Sequence, residues 1–178
     1  MTMSNWRQRL TEAVGAGKVL ADSEQNIELL LGGTGDERAE GAIVELVDGE
    51  HWEELNDRFY KTLAFGTGGL RGRTIGKVVT HVERGLSGPE DCPEFPCYGT
   101  ACMNFYNMSR AIRGFISYVK RHLEESGEDR KPIVVIAHDT RHFSADFARY
   151  CATICVEVGC DVHTFEGPRA TPELSFAL

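Results

Sequence analysis

Apolar residues recur every three or four positions through most of the first 63 residues, the period of helices with one buried face. Ile27, Leu30 and Leu31 mark one such segment, with Ser23 as its expected cap and Gly32-Gly33 as its stop. Thr34 with Glu37 three residues on fits a capping box for a second, which carries Ala39, Ile43, Leu46 and Val47 and breaks at Asp48-Gly49. A third places Trp52, Leu55, Phe59 and Leu63 on one face. Its acids Glu53 and Glu54 near the start and Lys61 near the end suit the helix dipole.

The texture then changes. Phe65 to Arg73 holds four glycines in nine residues, a density no helix survives, and predicts a loop running into a strand between Leu70 and Val82. Gly85 to Gly99 reads as an exposed Pro/Gly/Cys-rich connection. A long helix is predicted from Asn104 to Leu123, with Phe105, Met108, Ile112, Phe115, Ile116, Val119 and Leu123 at helical spacing. Lys120, Arg121 and His122 fall in its last turn, and a polar link from Glu124 to Lys131 comes next.

Ile133 to Ile136 is a continuous apolar run, as expected of a strand covered on both faces. After a turn from His138 to His142, Ser144 is the expected cap of a helix showing Phe147, Cys151, Ile154, Cys155 and Val158, ended by Gly159. Val162, Thr164 and Phe165 make a second strand. Strand, helix and strand form a βαβ unit, whose crossover is expected to be right-handed. The chain therefore reads as α/β: a layered α/β/α domain with a mixed, mostly parallel sheet over residues 51–178, preceded by an N-terminal helical segment over residues 1–50.

At 178 residues the chain is long enough to bury a real core. Its 19 basic and 27 acidic residues leave a net charge of −8, which argues against a nucleic-acid partner, since such a partner needs a basic face. One basic cleft stays compatible with that balance. No stretch approaches the about 20 apolar residues of a membrane span. Met1 to Leu10 has no apolar core of a secretory signal. The expectation is a cytoplasmic protein without a membrane partner, in which Cys92, Cys97, Cys102, Cys151, Cys155 and Cys160 are reduced thiols.

Two segments could carry chemistry. Consecutive glycines let backbone N–H groups converge on an anion, and a nearby arginine adds a fork matched to phosphate oxygens. Gly66 to Arg71 has that build, although no Gly-Lys-Ser/Thr of a P-loop comes after it and the dinucleotide spacing is absent. The same pattern also suits a tight turn with a solvent-facing arginine. The second segment is Ala137 to His142, at the carboxyl end of the buried strand, where ligands bind in open α/β sheets. There Asp139 is read as satisfying turn backbone, with Arg141 pairing an acid. His138, Asp139 and His142 lack the usual spacing of metal ligands. Cys92, Cys97 and Cys102, spaced by five, lack the tight pair of a structural zinc site, and Cys151 and Cys155 fit a helix core.

Leu63-Ala64-Phe65-Gly66-Thr67-Gly68-Gly69-Leu70-Arg71-Gly72 closely resembles the opening motif of the α-D-phosphohexomutases, the phosphoglucomutase/phosphomannomutase superfamily. The segments after that motif resemble the family's first domain in order. Gly99-Thr100 to Val119 is similar to its first long helix, and Val134 to Ala148 to its strand, Asp-x-Arg turn, serine and helix. Val162 to Phe165 and Arg169-Ala170-Thr171-Pro172 are similar to its next strand and Thr-Pro turn. The resemblance covers about residues 50 to 178, with a less specific likeness before.

The resemblance implies an intramolecular phosphotransferase of carbohydrate metabolism. Such enzymes have four domains and interconvert hexose 1- and 6-phosphates through a phosphoserine in a Ser-His-Asn-Pro-like loop, with Mg2+ held by that phosphoserine and an acidic loop of the second domain. Arg71 would then lie beside the phosphoserine, with Thr67, Gly68 and Gly69 around the phosphate and Asp139 and Arg141 in support. No Ser-His-Asn-Pro occurs in these 178 residues. The expectation is that the catalytic serine lies beyond Leu178, that neither a catalytic residue nor a metal site is present here, and that the chain alone is inactive and binds no Mg2+. Hexose phosphate would be engaged through the missing domains. A sheet lacking its next strand exposes an edge suited to self-association or to a partner bearing those domains. The alternative is a non-catalytic phosphate or phosphosugar binding module. The segment from Leu86 to Cys97 departs from the family pattern.

Overall fold

The computed structural model describes residues 5–65 and 69–176. The chain forms two compact units, Met1–Tyr106 and Asn107–Leu178.

In the first unit, four helices share one core: α1 (Trp6–Gly15), α2 (Ala21–Gly33), α3 (Arg38–Asp48) and α4 (Trp52–Phe59). Leu10, Ile27, Leu30, Ile43, Leu46, Leu55 and Phe59 are buried together there, so the helices on either side of residue 50 pack as one. Two expected caps are not caps. Ser23 lies inside the first turn of α2, fully buried, and its hydroxyl donates to Asn56 Oδ1 at 3.0 Å. Thr34 is extended at the end of α2, and its hydroxyl accepts from Asp36 N–H instead of opening α3. Glu37 stands at the N-cap of α3 with no side-chain bond to the helix. α4 also stops at Phe59, before Lys61 and Leu63.

The capping box is realised elsewhere, at α5 (His81–Arg84). The Thr80 hydroxyl accepts from Glu83 N–H, and the Glu83 carboxylate accepts from Thr80 N–H. Glu45 of α3 holds the same helix start, accepting from His81 N–H at 2.7 Å and Val82 N–H at 3.0 Å. Burial works against the Glu45 carboxylate, but these bonds outweigh it and keep the group below its usual range.

The strand expected from Leu70 to Val82 does not form. Gly69 makes a single bridge, residues 70–80 are irregular, and α5 begins at His81. Nor is the Gly85–Gly99 connection wholly exposed: Pro96 to Gly99 are buried.

The second unit contains most of α6 (Phe105–Glu125), then β1 (Ile133–Ile136), α7 (Ser144–Glu157), β2 (Asp161–Thr164) and α8 (Thr171–Phe176). β1 and β2 are parallel, with Val134 opposite Val162 and Ile136 opposite Thr164, so the βαβ unit forms as the apolar run predicts. Among the described residues the sheet has only these two strands. Ile116, Val134, Cys155 and Cys160 make the core, with Ile112, Ile136, Val158 and Val162 against it. Cys151 and Cys155 are thus core residues, and burial pushes both thiols up, Cys151 to about 11. The apolar stripe of α6 is only partly covered, with Ile116 and Leu123 buried and Phe115 49% exposed. Ile133 is exposed too, so β1 is not covered along its whole length. Thr171-Pro172 opens a short helix, where a proline in the first turn costs no hydrogen bond.

Candidate functional site

The two stems of the glycine loop are fastened to one segment, residues 97–103. On the entering side, Leu63 N–H donates to Thr100 O at 2.7 Å, and the Thr100 hydroxyl donates to Lys61 O at 2.8 Å. On the leaving side, Met103 N–H donates to Arg73 O at 2.8 Å, and Cys97 N–H to Thr74 O at 2.9 Å. Ala101 N–H bonds Arg58 O at the end of α4. Gly72 passes so close that a Cβ would lie 2.9 Å from Ala101 O, which is why a residue without a side chain sits there.

Beneath this clamp lies a buried charge network that sequence reasoning missed. Arg58 is fully buried and faces Glu83 through two contacts, Nη1 to Oε1 at 2.5 Å and Nη2 to Oε2 at 3.2 Å. Its Nε donates to Glu54 Oε1 at 2.6 Å, and Nη2 also donates to Val78 O. Burial opposes the guanidinium charge, but the Glu83 and Glu54 carboxylates outweigh it and hold Arg58 above its ordinary range. The carboxylates have further donors: Glu83 accepts from Tyr98 N–H at 3.0 Å and Glu54 from Lys77 N–H at 3.2 Å. One arginine on α4 thereby fixes residues 77–83 and 98, the chain that leaves the loop. The available signals were the Glu54–Arg58 spacing of four and the Thr80-x-x-Glu83 box, but neither reveals a partner 25 residues away.

This network sorts the three basic residues after the loop. Arg73 Nη1 lies 3.4 Å from Glu54 Oε2, and its Nη2 lies 3.6 Å from Asp57 Oδ2. Lys77 Nζ pairs with Asp57 at 2.7 Å. Arg71 is exposed and makes no hydrogen bond or ion pair among the described residues. Two residues before it, Gly69 takes φ 90°, a conformation that favours glycine. Thr67 and Gly68 lie outside the described residues.

In the second unit, Asp139 and Arg141 come together at the carboxyl end of β1. Arg141 N–H donates to Asp139 Oδ1 at 3.0 Å, and its Nε donates to Oδ2 at 2.7 Å. These bonds from Arg141 hold the exposed Asp139 carboxyl at about 2. Ser144 is the first residue of α7, not its cap, and its hydroxyl accepts from Asp139 N–H at 3.2 Å. Phe143 before it adopts the left-handed region at φ 65°, uncommon for a bulky residue. Arg169 N–H donates to His138 O at 2.8 Å, so the segments after both strands meet at this edge. Asp139 is thus engaged by its own turn and by Arg141. Among the described residues no three His, Cys, Asp or Glu side chains are grouped to hold a metal, and no helix is long and apolar enough to cross a membrane.

An α/β fold with a βαβ unit and a clamped glycine loop ending in an arginine defines a class, and comparison with known proteins narrows it. Residues 97–178 match the family model described as "Phosphoglucomutase/phosphomannomutase, alpha/beta/alpha domain I". A phosphoglucomutase of Staphylococcus epidermidis is 29% identical over 139 residues, 78% of this chain and 20% of its own length. One from Staphylococcus haemolyticus is 30% identical over 120 residues, 67% of this chain and 17% of its own length. A probable phosphoribomutase of Schizosaccharomyces pombe is 28% identical over 143 residues, 80% of this chain and 20% of its own length. No solved structure matches significantly. Residues 97–178 thus match domain I of the phosphohexomutase superfamily, and a larger part of the chain is similar to these mutases. The chain spans about a fifth of the length of the curated relatives it matches.

Proposed function

We propose that this chain supplies the phosphate-contacting glycine loop of a cytoplasmic phosphoglucomutase-type phosphotransferase, which interconverts hexose 1- and 6-phosphates. One observation carries the reading: Arg71 is the basic residue of the 71–77 segment without a partner among the described residues, on a loop whose two stems are clamped. A fixed cation that is not neutralised by its own protein stabilises charge that develops on a transferring phosphoryl group. Thr67, Gly68 and Gly69 would add backbone donors, and Asp139–Arg141 would shape the strand edge. Among the described residues no three His, Cys, Asp or Glu side chains are grouped as ligands; Mg2+ would be held by residues of another domain of the full enzyme.

On this reading a polypeptide of these 178 residues, which contains no Ser-His-Asn-Pro, does not interconvert glucose 1-phosphate and glucose 6-phosphate. Turnover by the purified chain, free of contaminating mutase, contradicts it. Replacing the arginine that matches Arg71 by Ala in a full-length relative should lower kcat by about 100-fold, the scale of one lost transition-state donor. An unchanged kcat would instead make Arg71 a surface residue. If orthophosphate binds this chain through Arg71 while the relative's kcat is unaffected, the non-catalytic binding module is the better description.

A further inference from the structure

Thr100 grips the entering stem of the glycine loop twice. Its carbonyl accepts from Leu63 N–H at 2.7 Å, and its hydroxyl donates to Lys61 O at 2.8 Å. The residue is fully buried. A hydroxyl that only completes its own turn or helix bonds backbone close by in the sequence. Ser117 and Thr153 do so, donating to Arg113 O and Arg149 O, each four residues back. The Thr100 hydroxyl instead crosses to a carbonyl 39 residues away, on the stem of the loop.

The turn beneath Thr100 is itself fixed. Asn104 is 2% exposed, and its Nδ2 donates to Cys97 O at 3.0 Å and to Gly99 O at 2.9 Å. Ala101 N–H donates to Arg58 O at 2.9 Å, and a Cβ on Gly99 would lie 2.7 Å from the same oxygen. Thr100 therefore stands on a turn held shut by Asn104 and seated against the end of α4. Met103 N–H of the same turn holds Arg73 O, on the other stem. The Thr100 hydroxyl is a side-chain bond within this clamp, one that a substitution removes without altering the backbone.

We propose that Thr100, on the reading of this loop as a phosphate site, is its positioning residue: the hydroxyl holds the entering stem so that Arg71 meets phosphate on a loop already ordered. A loop anchored at both ends has fewer conformations than one anchored at a single end, and freedom already lost in folding is not lost again on binding. α4 ends at Phe59, so the contacts of Lys61 and Leu63 with Thr100 fasten the chain between that helix and the loop. Without the hydroxyl, Lys61 O loses this donor, the stem loosens back towards α4, and the cost of ordering it falls on the bound anion.

The test measures the orthophosphate Kd of the 178-residue chain from the Arg71 Nε–H signal, in the parent, in Thr100→Val and in Thr100→Ser. Valine keeps the shape and removes the hydroxyl, whereas serine keeps the hydroxyl. The expected Kd is about tenfold weaker in Thr100→Val, the scale of one stranded buried acceptor, and within about twofold of the parent in Thr100→Ser. A residue that serves stability alone leaves the Kd of the folded protein unmoved. Equal affinity in Thr100→Val and the parent overturns the proposal, and so does an equal loss in both variants. A second measurement needs no variant: hydrogen exchange at Leu63 N–H. If phosphate binds only while the stem is fastened, exchange there slows about tenfold at ten times the Kd. Unchanged exchange at that saturation overturns the proposal even where Thr100→Val fails to fold. A parent that binds no phosphate through Arg71 overturns the assignment of the loop, and the role of Thr100 with it. Binding that ignores Thr100 overturns the positioning role alone.

Discussion

Arg58 and Glu83 meet in a two-point ion pair between α4 and α5, their side chains 0% and 2% exposed. Removing one partner of such a pair strands the other charge in the interior. Arg58→Ala, which leaves Glu54 and Glu83 without a counter-ion, is expected to lower unfolding free energy by about 3–5 kcal/mol. Urea unfolding reads this as a lower midpoint at unchanged slope. Arg58→Lys keeps the charge but not the planar fork, so only part of the stability should return. An Arg58→Ala variant within about 1 kcal/mol of the parent would mean the pair does not hold this part of the fold.

Gly76 lies against that network. A Cβ there would meet Arg58 Nη2, and would come within 2.6 Å of Glu54 Oε1 and 2.7 Å of Val78 O. Gly76→Ala should therefore destabilise by about 1–3 kcal/mol, the range for overpacking. Gly114, inside α6, has open space around it, and Gly114→Ala should stabilise by about 0.5–1 kcal/mol. Thermal unfolding of both variants checks the contrast. Equal shifts in one direction would show that the network yields where the close contacts say it cannot.

The Asp139 carboxyl titrates at about 2, chiefly because Arg141 donates to it. The folded state prefers the ionised form, so this contribution is fully present above the ordinary aspartate value of 3.8 and is lost as pH falls from there towards 2. Carbon-detected NMR titration should place the Asp139 midpoint near 2, and Arg141→Gln, which keeps the backbone bond, should raise it part of the way to the ordinary range. A midpoint unmoved by that substitution would assign the shift to turn backbone alone.

How much of this fold the sequence shows depends on whether the responsible interaction is local. Ile133 to Ile136 and Val162 to Thr164 read correctly as parallel strands, because short apolar runs on either side of a helical pattern have few other uses. Trp52, Leu55 and Phe59 read correctly as one helical face. The residues around the loop did not, because their partners are remote. Glu54 looks like a first-turn acid suited to the helix dipole, yet it is buried against Arg58 and Lys77 N–H. Residues 70–80 look like a strand because β-branched residues cluster near Thr74, Val78 and Val79, but their backbone partners are carboxylates and the turn at 97–103. The T-x-x-E signature occurs at Thr34 and Thr80, and only the second makes the box, since near the first the Thr34 hydroxyl accepts from Asp36 N–H and the Asp36 carboxylate accepts from Arg38 N–H. The backbone hydrogen bonds that fasten the stems of the glycine loop to residues 97–103 were not legible in the sequence, because they join groups about 20 to 40 residues apart.

The most direct measurement tracks the Arg71 Nε–H signal by 15N–1H NMR while orthophosphate, then glucose 1-phosphate, is added at low salt. The expected result is a saturable shift of that signal, weakened by salt and absent in Arg71→Ala, with Arg73 little affected because Glu54 and Asp57 already engage it. A titration in which Arg71 does not respond, or in which Arg71→Ala binds phosphate as the parent does, would contradict the assignment of this loop to phosphate.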